Sequence, residues 1–272
     1  MHPVALAFAA FLTAAIGTLG GIGGAILLVP VLVLSGMEAK YAAPLGLVSV
    51  AAGSLAAAPH QLTARVVNHR LGVTTEIVAS SAAFVGALVS GFVGQSLLAV
   101  VLGLVALVAA FAGARRKGVR NLPDARLGPD DVGEVPGTLS GVYPLGDQFV
   151  PYRANRLPLG LLGMGVAGLI SGLSGVGGGW IKTPTASEVM HVPVKVAAAT
   201  STFTVGVTAA VGLLVYESQG RVIVSDAALV AAAGLAGGTI GVRLQHLLPP
   251  PIVRRGLSVV LAVIGVMLIV RR

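Results

Sequence analysis

Hydrophobic positions along this chain gather into ten apolar runs separated by polar breaks. The runs fall at residues 4–19, 25–36, 42–58, 73–93 and 97–113, then at 158–171, 180–190, 196–216, 224–242 and 252–270. A helix crossing a bilayer needs ~20 residues, and most runs approach or reach that length. The period-2 alternation of ~10-residue barrel strands is absent. The pattern predicts an all-α, polytopic transmembrane bundle. Between the two groups of five lies a polar stretch, 114–157, that holds Arg115, Arg116, Lys117, Arg120, Arg126, Arg153 and Arg156 with several prolines and glycines. It reads as a mostly irregular cytoplasmic linker between a first transmembrane repeat, 1–113, and a second, 158–272.

A short glycine-rich stretch occurs once in each half. The first copy is Gly20-Gly21-Ile22-Gly23-Gly24, running on to Pro30, and the second is Gly175-Val176-Gly177-Gly178-Gly179, running on to Pro184. Gly21, Gly23, Gly24 and Pro30 match Gly175, Gly177, Gly178 and Pro184 at a constant spacing of 154 residues. Glycine costs ~1 kcal/mol against alanine inside a helix, so the backbone is expected to break at both places. The runs that follow, 25–36 and 180–190, are too short to span a bilayer. Irregular backbone at membrane depth survives only where protein buries it or where it lines a wet cavity. Paired short, Gly/Pro-interrupted segments in two halves point to a transporter's binding site. The fourth runs carry small residues at four-residue spacing, Gly86, Ser90 and Gly94 in one and Gly237 and Gly241 in the other, which reads as close helix packing.

Composition sharpens the class. Of 272 residues, 55% are hydrophobic and 10% charged, against about 25% charged in soluble domains. The net charge of +8 would suggest nucleic acid in a soluble protein. Here the basic residues lie in loops and at segment ends, which is the positive-inside pattern, so no nucleic-acid partner is expected. Arg65, His69 and Arg70 at one end of the 73–113 hairpin, with Arg115–Lys117 at the other, place that side in the cytoplasm. In the second half Arg243, Arg254 and Arg255 sit at the hairpin turn, which slightly favours an inverted second repeat. There is no cysteine, hence no thiolate chemistry. Met1-His2-Pro3 lacks a charged leader, so the first run reads as a membrane helix rather than a removed signal.

The candidate site is built from Gly21, Gly23, Gly24, Gly175, Gly177, Gly178 and Gly179, whose amides and adjoining helix starts suit an anion. Lys182 lies three residues past the second motif inside an apolar run, where Leu28 is its first-half counterpart, and reads either as a functional charge or as a snorkelling one. Thr200 and Ser201 open the third run of the second half and either donate to an oxyanion or bond their own helix. Glu38, Glu76, Glu188, Glu217 and Asp226 all lie near run ends, so no buried carboxylate is expected, which favours an anionic over a cationic substrate. His60 and Gln61 end the third run and either face a cavity or, the favoured reading, sit at the interface. Gly172-Leu173-Ser174-Gly175 has the form of an intramembrane serine protease motif, but His191 and His246 lie near ends or in loops, so the geometry of such a site is not expected. Ile181 replaces the glycine a phosphate loop needs before lysine, and no His/Asp/Glu group has metal-ligand spacing. No cofactor or metal is expected.

With its paired G-x-G-G motifs, downstream prolines, Ala199-Thr200-Ser201, small-xxx-small fourth runs and basic central loop, the chain resembles the TauE/SafE family, also called the sulfite exporter or toluene-sulfonate uptake permease family. The resemblance covers both halves. It implies an inner-membrane secondary carrier of sulfite, an organosulfonate or a related small anion. Alternating access would rock one half against the other, and with no ATP-binding motif in the chain the coupling is expected from a proton, a sodium ion or the substrate's own gradient. The resemblance also implies that the motif glycines, with Thr200 and Ser201, face the substrate. Leu47 and Val48 stand where a first-half Thr-Ser pair would be expected, so the site is not symmetric. The rivals are a passive anion channel and the intramembrane protease.

Overall fold

The computed structural model describes residues 2–19, 23–115, 133–145, 148–244 and 250–270. Ten α-helices stand where the ten apolar runs fall: α1 (Pro3–Leu19), α2 (Ala25–Leu34), α3 (Ala39–Thr63), α4 (His69–Ser90), α5 (Gln95–Arg115), α6 (Leu157–Ser174), α7 (Gly179–Pro184), α8 (Val194–Ser218), α9 (Val224–Leu244) and α10 (Pro250–Val270). Among the described residues six helices are long and apolar enough to cross a membrane. The protein is an all-α polytopic bundle. As the short runs foretell, α2 has 10 residues and α7 has 6, the latter continued by a π-helical turn, Thr185–Val189.

α2 is apolar all round, which suits a helix buried on every side. Its residues Ile26, Leu27, Leu28, Val29 and Leu32 form the middle of the largest core cluster, with Leu6 and Ala10 of α1, Leu102 of α5, Val230 of α9 and Leu261 of α10. The helices pack reciprocally. α1 lies on α9 and α6 on α4, while α3 lies on α9 and α8 on α4. α3 and α8 cross antiparallel, since a Cβ at Gly212 would meet Leu47 and one at Gly206 would meet Ser54. Small residues permit the tightest contacts. A Cβ would reach within 2.2 Å of the Phe11 carbonyl at Gly237, 2.5 Å of the Ala15 carbonyl at Gly241 and 2.2 Å of the Leu169 carbonyl at Gly86. The four-residue spacing is thus packing, except that Gly94 lies beyond the end of α4 and meets nothing.

The central stretch departs from the irregular reading. It holds a three-stranded antiparallel sheet, β1 (Gly133–Glu134), β2 (Gly141–Leu145) and β3 (Gln148–Tyr152), in the order β1-β2-β3. Tyr143 and Tyr152 bury against Leu71 of α4, Met164 of α6 and Val196 of α8, so the sheet is docked on helix ends. Asn68 organises the junction. Its side chain caps α4 by accepting from the Leu71 amide (2.8 Å) and donates to the Tyr152 hydroxyl (2.8 Å), while burial pushes that hydroxyl up to about 12. Glu134 completes the cap, accepting from the amides of His69 and Arg70 (the latter at 3.1 Å) and lying 2.6 Å from His69 Nδ1. Partial burial pushes this carboxyl up, but the two amides and the imidazole outweigh it and hold it below its ordinary 4.5. A lowered carboxyl stabilises fully above its unfolded value and ceases to do so as pH falls through its folded one. Acidification below the ordinary glutamate range is therefore expected to release the sheet from α4, read as faster hydrogen exchange at the His69 and Arg70 amides. Exchange there unchanged at acid pH would show that Glu134 does not hold the junction.

Candidate functional site

The two glycine turns meet. Gly23 and Gly24 of the first and Gly177 and Gly179 of the second line one cavity of about 270 Å³. Its walls are α3, through Ser49, Val50, Gly53, Ser54 and Ala57, and α8, through Ala198, Ala199, Thr202 and Val205. His60, Gln61 and Lys195 line it towards one end, on the side where the linker sheet docks.

The turn geometry explains the glycines. Gly23 (φ +84°) and Gly177 (φ +80°), matched at the constant spacing, both take the left-handed conformation that L side chains rarely adopt. Gly175 (φ +72°) ends α6 in the same conformation, 2.8 Å from its capping acceptor, the Ser171 carbonyl. Gly178 starts α7. Among the described residues the amides of Gly177, Gly178 and Gly179 have no hydrogen-bond partner. An unpaired amide at a buried site is costly, and an anion in the cavity would satisfy such donors. Two further polar atoms of the cavity lack partners: Ser49 Oγ, on a residue only 1% exposed, and Gln61 Oε1. Ser54 Oγ instead donates to the Thr202 carbonyl (2.7 Å), tying α3 to α8.

The remaining candidates fall elsewhere. Gly21 lies outside the described residues. Gly175 and Gly178 shape the turn but do not line the cavity. Thr200 Oγ1 accepts from the Asn68 amide (2.9 Å), which ties α8 to the start of α4, and Ser201 Oγ is buried without a partner, away from the cavity. Lys182 is 2% exposed and does not snorkel. Its Nζ donates to Glu76 Oε2 (2.6 Å) on α4 and to Thr208 Oγ1 (2.6 Å) on α8. Thr208 in turn donates to Glu76 Oε1, which also accepts from Ser80 Oγ (2.7 Å). This corrects the expectation that no carboxylate is buried. The apolar run starting at 73 trims the first turn, His69–Gly72, from the helix, so Glu76 lies inside α4 and is 6% exposed.

His60 and Gln61 are likewise cavity residues rather than merely interfacial ones, and Ser49, Gly53, Ser54, Thr202 and Lys195 join them. A signal existed. Ser49, Gly53, Ala57, His60 and Gln61 recur at three- and four-residue steps, the spacing of one helical face. Ser174 Oγ donates to the Ile170 carbonyl (2.6 Å), and among the described residues no histidine bonds to it; His246 lies outside them.

The family model described as "Sulfite exporter TauE/SafE" matches residues 6–268 of the chain. No curated protein and no solved structure matches it.

Proposed function

The chain belongs to the TauE/SafE sulfite exporter family and is a multi-pass membrane transporter of that type, and from that premise we propose that it carries a small sulfur oxyanion, sulfite or an organosulfonate, across the bacterial inner membrane by alternating access. The observation that carries the reading is the convergence of both glycine turns, 154 residues apart at matched positions, on a single cavity. The unpaired amides of Gly177 and Gly179 and the Ser49 hydroxyl supply donors for an oxyanion, and His60 and Lys195 bias the approach towards negative charge.

The reciprocal packing of α1 on α9 and α6 on α4, with the antiparallel α3–α8 crossing, supports two repeats of inverted topology. Alternating access then rocks one repeat against the other. The cavity opens on the linker side, the cytoplasmic one by its basic residues. The opposite ends of α3, α4 and α8 are bolted by Arg221, which donates to the Lys40 carbonyl (3.2 Å), Ser90 Oγ (2.7 Å) and Gln219 Oε1 (2.9 Å) and stacks 4.5 Å from the Tyr216 ring. The chain has no cysteine, so a single Gly53→Cys, whose Cβ would meet nothing within 4 Å, reports access cleanly. In membrane vesicles of known orientation an impermeant thiol reagent should label that cysteine from the cytoplasmic side alone, and Arg221→Ala should add labelling from the other side. Labelling from neither side, or no change with Arg221→Ala, would remove the bolt.

Binding is tested by the thermal stability of the purified protein against sulfite, thiosulfate, sulfate, taurine, sulfoacetate and chloride. A ligand at one hundred times its Kd adds about 2.7 kcal/mol to the folded state. A sulfur anion should raise the melting temperature, and Gly53→Leu should abolish the rise while the protein still folds. A Cβ at Gly53 meets nothing within 4 Å, so the leucine enters the cavity rather than the packing, and it also removes glycine's ~1 kcal/mol helix penalty. No rise with any anion, or a rise unaffected by Gly53→Leu, would sink the assignment of this cavity.

A further inference from the structure

The Lys182–Glu76–Thr208 cluster lies outside the cavity, yet it holds opposite charges 2.6 Å apart inside a membrane-spanning bundle. Buried ion pairs are weak contributors to stability, because desolvating both charges offsets their attraction. The bundle itself shows that the fold does not require this one. At the positions matched by the 154-residue spacing stand Leu28, Val230 and Ser54, and Leu28 and Val230 belong to one apolar core cluster at 0% exposure. The matched place thus holds a leucine and a valine where this one holds a lysine and a glutamate.

Position says what the charges do. Lys182 sits on α7, one turn past Gly179, which lines the cavity. Glu76 belongs to α4 and Thr208 to α8, so three elements meet at the pair. We propose that Glu76 is the proton-coupling site of the transporter, and that its protonation uncovers the charge of Lys182 for an anion held at the glycine turns. The inference rests on the anion-carrier reading above. The step balances simply. One proton from water adds to a Glu76 carboxylate oxygen, one O–H bond forms there, and Lys182 keeps its three protons. Before the step the buried charges are one positive and one negative. With the proton and a monoanion bound they are again one positive and one negative, the substrate having replaced the carboxylate as counter-charge. Proton and anion therefore bind together, each raising the affinity for the other. Either one bound alone leaves an uncompensated charge in a low-dielectric interior.

Among the described residues no buried charge other than Lys182 lies beside Glu76: Arg221 holds the far end of α4 through Ser90, and Glu134 caps its start. Of the elements packed on α4, α6 carries no charged residue. On α8 the other charges, Lys195 and Glu217, are exposed, as are Glu188 of the π-turn and His69 and Arg70 at the start of α4. Ser80, one turn along α4, adds a neutral donor.

The test measures binding of methanesulfonate, isethionate and toluenesulfonate, monoanions whose charge is fixed over the range, to the purified full chain at about pH 5.5 and about pH 8. Wild type should bind its anion on the order of ten-fold tighter at the lower pH. Glu76→Gln, which keeps the hydrogen-bonding shape of a protonated carboxyl, should bind at both pH values as wild type does at the lower one. In proteoliposomes it should retain anion counterflow and lose acceleration by a proton gradient. Equal affinity of wild type at both pH values overturns the coupling and leaves the anion reading standing, and so does pH dependence that persists in Glu76→Gln. Binding of none of the three anions at either pH overturns both. Should Glu76→Gln fail to fold, His60→Gln decides, because His60 is a titratable group that lines the cavity itself: pH dependence that survives this change supports Glu76, and its loss overturns the proposal.

Discussion

Replacing Lys182 by methionine is expected to destabilise the protein by about 3–5 kcal/mol, and adding Glu76→Gln to the same chain should return most of that loss. The reason is the state each variant leaves behind. Lys182→Met removes the cation and strands a carboxylate that is 6% exposed, with only the Thr208 and Ser80 hydroxyls as donors. An unpaired charge of this kind costs far more than the pair contributed when intact. The double variant carries no charge at all, and methionine's flexible thioether fills the lysine stem's volume, as Leu28 fills the matching place in the first half. Denaturation in detergent, followed for wild type, both single variants and the double variant, gives the coupling energy directly. Equal losses for Lys182→Met and the double variant would show that the pair is not buried as a pair. The same cycle separates stability from function, since the double variant should fold and yet show no pH-dependent anion binding.

Much of this architecture was legible in the sequence. Ten apolar runs foretell ten helices because burial in a bilayer rewards continuous hydrophobicity, which a sliding window detects. The broken segments at 25–36 and 180–190 were legible because glycine clusters defeat helix formation and the runs behind them are short. That Gly23 and Gly177 share a cavity accords with their matched positions in the two halves, whereas Gly24 and Gly179 line it without matching each other. What escaped detection was polar and lay inside helices. Glu76 falls near a run end because His69, Arg70, Thr74 and Thr75 lower the local hydropathy, although Asn68 and Glu134 cap the helix two turns before Glu76. A window averages charge away from structure, whereas a cap fixes where a helix begins. Lys182 was visible as a charge, but its partner stands 106 residues away in sequence, and no periodicity connects α4 to α7. The sheet at 133–152 escaped for a similar reason. Its strands are short and rich in glycine and proline, and their burial depends on helix ends remote in sequence.

Gly175→Ala should prevent folding, whereas Gly23→Ala should cost only about 1–2 kcal/mol, the usual penalty for a side chain in the left-handed region. Both glycines have positive φ, +72° and +84°, so conformation alone predicts similar losses. Space separates them. A Cβ at Gly175 would lie 2.1 Å from the Ala43 carbonyl oxygen and 2.4 Å from the Ala43 Cα. Those atoms are backbone of α3 and cannot rotate aside. The contact is mutual, since a Cβ at Gly46 would lie 2.3 Å from the Gly175 carbonyl oxygen. α3 and the end of α6 thus touch backbone to backbone at the base of the second turn, and one methyl group would push apart the helix that walls the cavity. At Gly23 no described atom lies within 4 Å of the added Cβ. Yield of monodisperse protein and its melting temperature distinguish the cases: Gly175→Ala and Gly46→Ala should aggregate, and Gly23→Ala should remain folded with a modest shift. Equal behaviour of Gly175→Ala and Gly23→Ala would mean that α3 and the second turn are not in contact. The anion cavity would then lack the wall that brings Ser49 and Val50 to Gly177.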